Sequence, residues 1–496
     1  MEFSWGVVGS FIGYFVFVLL IGFYFYKKSS NLSDYMLGGR GLNPAVTAIS
    51  AQASDMSGWL LMGLPGALYL SGMSEVWLGI GLAIGSYCSW LVVAKRLRQY
   101  SYVAGDSITI PQFFENRFKD DKGLLRFISS IVILVFFTFY VVSGFVSGGT
   151  VFTAVFPGMD YTVAMIICAA VIIGYTFMGG FKAVCWTDFF QGMLMLVAVF
   201  VVPLAAMGKL GGVEEVARAA SNIAPGFLDP FTNLNGQPLN PMSLISNLAW
   251  GLGYFGMPHI IIRYMAIKEP RQIKTSRRIA TTWNVLALAG AIMVGIIGRL
   301  YLGDMFTDAA GAQTVFLVMA GRLFVPVIAG ILLSAILAAV MSTADSQLLV
   351  ASSAITADIY EKVAKKKPSE KKLMWIGRIG VIAIAIIAVI LARDPKTSIM
   401  TVVSFAWAGF GSAFGPVVLL ALFWKRTTRN GALAGIVTGF AVAILWNVFL
   451  TEATGLYEIV PGFLLALLAC VAVSLLDKKP SKEIEEEFEA AKTSEA

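Results

Sequence analysis

Apolar runs long enough to cross a bilayer recur at about 5–26, 44–70, 74–94, 125–156, 159–178, 186–207, 241–262, 280–303, 325–359, 373–392, 398–424, 431–450 and 457–476. Each is close to or above the roughly 20 residues that a spanning helix requires, and short polar connections separate them. The pattern predicts an all-α chain of thirteen transmembrane helices. The first run, Trp5 to Tyr26, exceeds the core of about 7–15 residues of a signal peptide and has no basic segment before it, so it reads as a retained span. An odd number of spans puts the termini on opposite sides. With the N-terminus outside, 31 of the 37 Lys and Arg fall in cytoplasmic segments, and only Lys209, Arg218, Arg299, Arg322, Arg393 and Lys396 remain outside. The positive-inside bias therefore predicts an N-out, C-in arrangement in the cytoplasmic membrane.

Two of these runs do not suit a regular helix. The second, NPAVTAISAQASDMSGWLLMGLPGALYLS from Asn43 to Ser71, carries Ser54-Asp55-Met56-Ser57-Gly58 near its middle. An Asp at the centre of a spanning helix costs about 2.5–3.5 kcal/mol on insertion scales and calls for a cation or a water-lined cavity. Short polar side chains and Gly let the backbone leave its hydrogen-bond ladder there. The seventh run has Gly251, Gly253, Gly256 and Pro258 within eight residues, and Pro alone costs about 3 kcal/mol in a helix interior. The glycines by themselves also suit close helix packing, but Pro258 and the matching break at Asp55–Gly58 favour an interruption. Interrupted spans at the second and seventh positions predict two five-helix repeats of inverted topology, about 44–207 and 241–424, with a binding site where the breaks meet. In the ninth run, spacings of three and four bring Ala339, Ser342, Thr343 and Ser346 onto adjacent parts of one helix face. Sodium takes hard oxygen ligands, and carbonyls freed over Ala53–Met56 facing the hydroxyls of Ser342 and Thr343 would supply about five oxygens. Taken singly, such hydroxyls more often bond back to their own helix.

Composition agrees with a membrane protein: 57% hydrophobic residues, 14% charged and a mean hydropathy of +0.77. The net charge of +7 lies in short clusters between apolar runs, which leaves no basic stripe on a soluble domain for nucleic acid. Cys88, Cys168, Cys185 and Cys470 lie in or beside apolar segments without metal-binding spacing, so they read as packing residues. The chain has no GxxxxGK[ST] phosphate loop, no HExxH and a single histidine, His259, which argues against an enzyme or an ATP-driven pump. A cation channel would need a continuous pore, whereas two broken helices meeting at mid-membrane suit alternating access. Outside the spans, residues 208–240 read as an external loop with a short helix at Val213–Ile223. Ile108–Arg117 reads as an amphipathic piece on the membrane surface. Residues 1–477 form one transporter domain, and the charged cytoplasmic tail 478–496 reads as a solvated or frayed helix, too short for a sensor.

The stretches LGGRGLNPAVTAISAQASDMSGWLLMGLPGALYLSG, GGFKAVCWTDFFQG, WGLGYFGMPHIIIRYMA, GILLSAILAAVMSTADSQLLVASSAITADIYEK, FAWAGFGSAFGPVVLLALFWKRTTRNGALAG and GLYEIVPGF closely resemble the sodium:solute symporter family, and within it the proline-transporting members. The resemblance runs from about Phe17 to Leu475. It implies a leucine-transporter-like fold with one extra N-terminal and two extra C-terminal spans, and sodium-coupled import of L-proline. It implies a sodium site built from the backbone of Ala53, Met56 and Ala339 and the hydroxyls of Ser342 and Thr343, with Asp55 involved in sodium dependence. On the substrate side it implies Ser57, Gly58, Trp59, Tyr140, Trp250, Tyr254 and Pro258. Arg40 and Asp188 match charged positions that matter for coupling, both at cytoplasmic ends of spans. Asp188, Asp345 and Ser346 are similar to an additional sodium site of some members. The pocket carries no full charge opposite Asp55, which suits a zwitterion, and helix N-terminal amides at a break can receive a carboxylate. Betaine would use the same features; the resemblance favours proline.

Overall fold

The computed structural model describes residues 4–26, 32–363 and 368–494. Its main helices are α1 (Trp5–Tyr26), α2 (Pro44–Gly58), α3 (Leu64–Ser71), α4 (Val76–Cys88), α5 (Ala94–Val103), α6 (Ile110–Arg117), α7 (Leu124–Val155) and α8 (Tyr161–Lys209). They continue with α9 (Pro241–Ala249), α10 (Pro258–Ala266), α11 (Ile273–Leu302), α12 (Pro326–Ser353), α13 (Glu370–Leu391), α14 (Ile399–Phe423), α15 (Arg429–Phe449), α16 (Ile459–Leu476) and α17 (Lys482–Thr493). Among the described residues there are no strands beyond isolated bridges, and ten helices are long and apolar enough to cross a membrane.

The breaks fall where the polar and Gly/Pro signals put them. The second span leaves helical geometry at Ser57 (φ 35°, ψ −166°) and resumes through Trp59–Gly63 into α3. The seventh tightens into a 3-10 segment at Trp250–Phe255, becomes extended at Met257 and restarts as α10 with Pro258 in its first turn, where the missing amide hydrogen costs nothing. Close packing and interruption prove not to be alternatives: a Cβ on Gly251 would lie 2.3 Å from Gly81 O, and one on Gly253 2.1 Å from the Trp407 indole nitrogen. The long α8 turns at Gly180 (φ 67°, ψ 174°), dividing the apolar runs expected at 159–178 and 186–207.

α12 and α14 are the most enclosed of the long helices, while α1 and α15 turn most of their apolar side chains outward, as helices facing lipid do. The two broken spans are pinned at one end by a parallel bridge between Leu42 and Ile267, with Lys268 N donating to Leu42 O at 3.0 Å. The short helix between spans forms at Val213–Ala220, close to its expected place.

Two surface expectations change. α6 does not lie free on the membrane surface: Ile110, Phe113, Phe114 and Arg117 are buried in protein, because its second face packs under α7 and against α14 through Phe114 and Phe414. The tail is a helix, largely exposed as expected, but docked along one side. α17 buries Phe488 and Ala491, three residues apart and so on one face, against Tyr100, Arg96 and Arg117.

Candidate functional site

α2 begins with Asn43, whose side chain accepts from Val46 N at 2.9 Å, and Pro44 at the first helical position, a favourable start. At its other end Ser57 sits at a positive φ, a conformation that L-residues keep only when their surroundings impose it. The surroundings are α12 and α7. Ser57 N–H turns to Thr343 Oγ1 at 3.0 Å, and Gly58 lies so near α7 that a Cβ would stand 2.3 Å from Ser147 Oγ. Ala53 O, which an unbroken helix gives to the N–H four residues on, instead accepts from Ser342 Oγ at 2.9 Å. The same hydroxyl lies 3.2 Å from Ala339 O, and Met56 O accepts from Trp59 N–H across the break. Ala53, Ala339 and Ser342 thus meet at one point, Thr343 holds the adjoining Ser57 amide, Met56 lies in the same break, and all of them are buried. The Ser342 hydroxyl lies within hydrogen-bond distance of two carbonyl oxygens, a grouping of neutral oxygens of the type that a hard monovalent cation takes as ligands.

The Asp55 side chain reaches across to the seventh span. One carboxylate oxygen accepts a short hydrogen bond from the Tyr254 hydroxyl, and the other has no hydrogen-bond partner among the described residues. Its backbone carbonyl accepts from Trp59 Nε1 at 3.3 Å and Tyr140 Oη at 3.4 Å. His259 Nε2 stands 3.1 Å from Ser54 O, so the polar end of α10 meets the broken end of α2. Trp250 and Tyr254 continue into an aromatic cluster: Trp250 stacks on Tyr457 at 5.4 Å, and Tyr254 meets Trp407 edge-on at 5.2 Å. The Trp407 indole donates to Trp250 O at 2.7 Å, and Ser89 Oγ donates to Tyr254 O at 2.9 Å. Pro258 starts α10 beside them. None of these side chains reaches solvent appreciably, so the site is closed in this conformation. A cavity of about 650 Å³ lined by Ser4, Met305 and Arg322 lies elsewhere, between the start of α1 and the start of α12.

Arg40 lies at the edge of the bundle, where its guanidinium bonds to Asp106 at 2.8 Å, Ser101 at 3.1 Å, Met265 O at 2.7 Å and Ser107 O at 2.9 Å. Burial pushes its pKa down from the usual arginine range, and the Asp106 carboxylate beside it opposes that shift. Asp188 is fully enclosed. It accepts from Ser50 Oγ at 2.7 Å and pairs with Arg263 at 3.1 Å. The same guanidinium donates to Ser346 Oγ at 2.5 Å, while Asp345 approaches Ser346 Oγ at 3.2 Å.

The model of the sodium:solute symporter family matches residues 35–439. The chain belongs to the sodium:solute symporter family. Relatives in this family include the high-affinity proline transporter PutP of Bacillus subtilis, 49% identical over 95% of this chain and 98% of that protein. The osmoregulated proline transporter OpuE of the same organism is 47% identical over 95% of this chain and 94% of its own. A sodium/proline symporter of Staphylococcus aureus is 46% identical over 95% and 93%. Among solved structures, an outward-open sodium-coupled sialic acid symporter superposes with a TM-score of 0.78 at 20% identity, covering 97% of this chain and all of that one. The nucleobase-cation symporter Mhp1 in a closed conformation gives 0.58 at 13% identity, covering 93% and 99%. Both are likenesses of fold.

In this member of the family, three residues near the site escape a reading of the sequence. Trp407 and Tyr457 lie inside family-like stretches, but aromatic residues in apolar helices are common enough as packing that nothing marks them. Arg263 counts as a loop cation in the positive-inside tally; its position only five residues after Pro258 was the available signal that it lies within a span.

Proposed function

We propose that this chain is a sodium-coupled symporter that imports L-proline across the cytoplasmic membrane by alternating access. It has thirteen spans, inverted repeats at about 44–207 and 241–424, an external N-terminus and a cytoplasmic tail. The observation that carries the ion half is the convergence of Ala53 O, Ala339 O and Ser342 Oγ where α2 breaks. Sodium sits among these oxygens once the still-protonated Ser342 hydroxyl turns its O–H aside and presents a lone pair, with Thr343 and the Met56 carbonyl completing the shell and Asp55 supplying a nearby negative charge that draws the cation in. Ion binding then competes with the contacts that hold α2 to α12 and so couples occupancy to the closure of the bundle. Proline binds on the other side of Asp55, among Ser57, Gly58, Trp59, Tyr140, Trp250, Tyr254 and Pro258. There the aromatic faces cover a small ring and attract an ammonium, while helix N-terminal amides at the breaks receive the carboxylate.

The relatives' names support proline over other zwitterions. The test is uptake of labelled proline into proteoliposomes under an imposed sodium gradient. Saturable, sodium-dependent accumulation is expected. Non-saturating flux that passes cations without solute would favour a channel, and betaine competing as well as proline would shift the substrate to a methylated zwitterion.

A further inference from the structure

Beyond the second repeat the chain returns once more to the aromatic cluster. The segment 455–458 joins α15 to α16, and Tyr457 within it is held by three contacts. Its ring stacks on Trp250 at 5.4 Å with 27° between the planes, its amide donates to Ser246 Oγ at 3.0 Å, and its hydroxyl donates to Ser404 O at 2.6 Å. Ser246 is one helical turn before Trp250 on α9, and Ser404 is about one turn before Trp407 on α14. Tyr457 therefore ties together the two elements whose tryptophans wall the cluster. It does so where burial changes. Along α9, Pro241, Met242 and Ser243 are exposed, residues 246–248 are half-buried, and Ala249 is the first to be buried. The segment's own anchorage lies elsewhere: Trp446 Nε1 donates to Leu456 O at 3.1 Å, and the buried Glu458 carboxylate accepts from Asn447 at 3.0 Å and Thr451 at 3.4 Å.

We propose that Tyr457 is a positioning residue that closes the outer side of the proline site, covering Trp250 and latching α9 to α14 through Ser246 and Ser404. This rests on the symport reading and its N-out orientation, in which α9 starts outside. The two sets of contacts differ in how easily they part. Ser246 and Ser404 are half-buried, so water can replace the Tyr457 amide and hydroxyl there at little cost. Parting Glu458 from Asn447 and Thr451 would strand a buried carboxylate, which costs much more. The segment thus stays with α15 while its hold on α9 and α14 is released. The last two spans, which lie outside both repeats, acquire in this way a part in transport: they carry the closing residue.

The experiment is the rate at which a water-soluble maleimide labels a cysteine under Tyr457, in the purified full chain without solute. Ala249→Cys supplies the thiol in a Cys88→Ala background, the other three native cysteines being buried. Tyr457→Phe keeps the ring on Trp250 and removes the bond to Ser404 O, and labelling at 249 is expected to rise about fivefold, the population shift that loss of one net hydrogen bond allows. Ser246→Ala removes the other tether and is expected to act in the same direction. Labelling of Cys470, buried within α16, is expected to stay at its parental rate in both. Tyr457→Leu removes ring and hydroxyl together and is expected to raise the proline KM as well, because Trp250 loses its stacking partner. Parental labelling at 249 in Tyr457→Phe overturns the proposal, and where that variant fails to fold, parental labelling in Ser246→Ala does so. Faster labelling at 249 and Cys470 alike also overturns it, since that marks general loosening of the α15 and α16 pair. A wild type that takes up no proline under a sodium gradient would instead remove the symport reading, while the labelling rates still decide whether Tyr457 closes this side.

Discussion

Ser342→Ala probes the cation oxygens with the least change in shape. Without sodium, the hydroxyl shares its one proton between Ala53 O at 2.9 Å and Ala339 O at 3.2 Å, the equivalent of one hydrogen bond worth about 0.5–1.5 kcal/mol in net stability. With sodium bound, the same oxygen faces a full charge, and contacts to charged groups are worth about 1.5–3 kcal/mol. The ion-bound state therefore loses more than the free state does. The central difference is about 1.2 kcal/mol, and every 1.4 kcal/mol is about tenfold in affinity, so the variant should bind sodium roughly 5- to 10-fold more weakly. Because the hydroxyl lies on the α12 side of the break, away from the aromatic cluster, the maximal rate at saturating sodium should change by only a few-fold. The assay is initial proline uptake against sodium concentration at saturating proline, repeated against proline at saturating sodium. Unchanged sodium dependence with a raised proline KM would assign Ser342 to the substrate pocket and refute the cation geometry.

Asp55→Asn keeps the hydrogen bond to Tyr254 but removes the charge, and should abolish sodium-stimulated uptake in protein that still inserts; Asp55→Glu should retain part of it at raised sodium, and wild-type sodium dependence in the Asn variant would break the assignment. Phe488→Ala empties a buried site between Tyr100, Arg96 and Arg117, at a cost of about 3–5 kcal/mol if the site cannot collapse. Amide exchange over residues 482–493 should accelerate strongly in that variant, and unchanged protection would show that the tail does not depend on this contact.

Much of the architecture is written in local signals. Asp55-Met56-Ser57-Gly58 and Gly251 to Pro258 announce their breaks because a charge, glycines and a proline each disfavour a regular helix in lipid, and Ser57 and Met257 are where the backbone departs. The facing of Ser342 and Thr343 follows from helical spacing on α12. Residues whose role depends on a distant partner are less legible. Arg263 looks like a loop cation until Asp188, 75 positions earlier, is seen beside it. Trp407 and Tyr457 become part of the aromatic cluster only once α14 and the start of α16 pack against the Trp250–Phe255 segment. The tail shows only one weak apolar turn, because Phe488 and Ala491 suffice when Arg96, Tyr100 and Arg117 provide the receiving surface.

The central claim is that sodium, held by neutral oxygens at the α2 break, drives accumulation of L-proline. Proteoliposomes containing the purified chain can be given either an inward sodium gradient or an inward proton gradient without sodium, with labelled L-proline outside. The account predicts accumulation under the sodium gradient alone, blocked by excess unlabelled L-proline far better than by betaine, alanine or D-proline, since the site offers no acid and histidine pair to carry a proton. Equal accumulation under the proton gradient with sodium absent would contradict it.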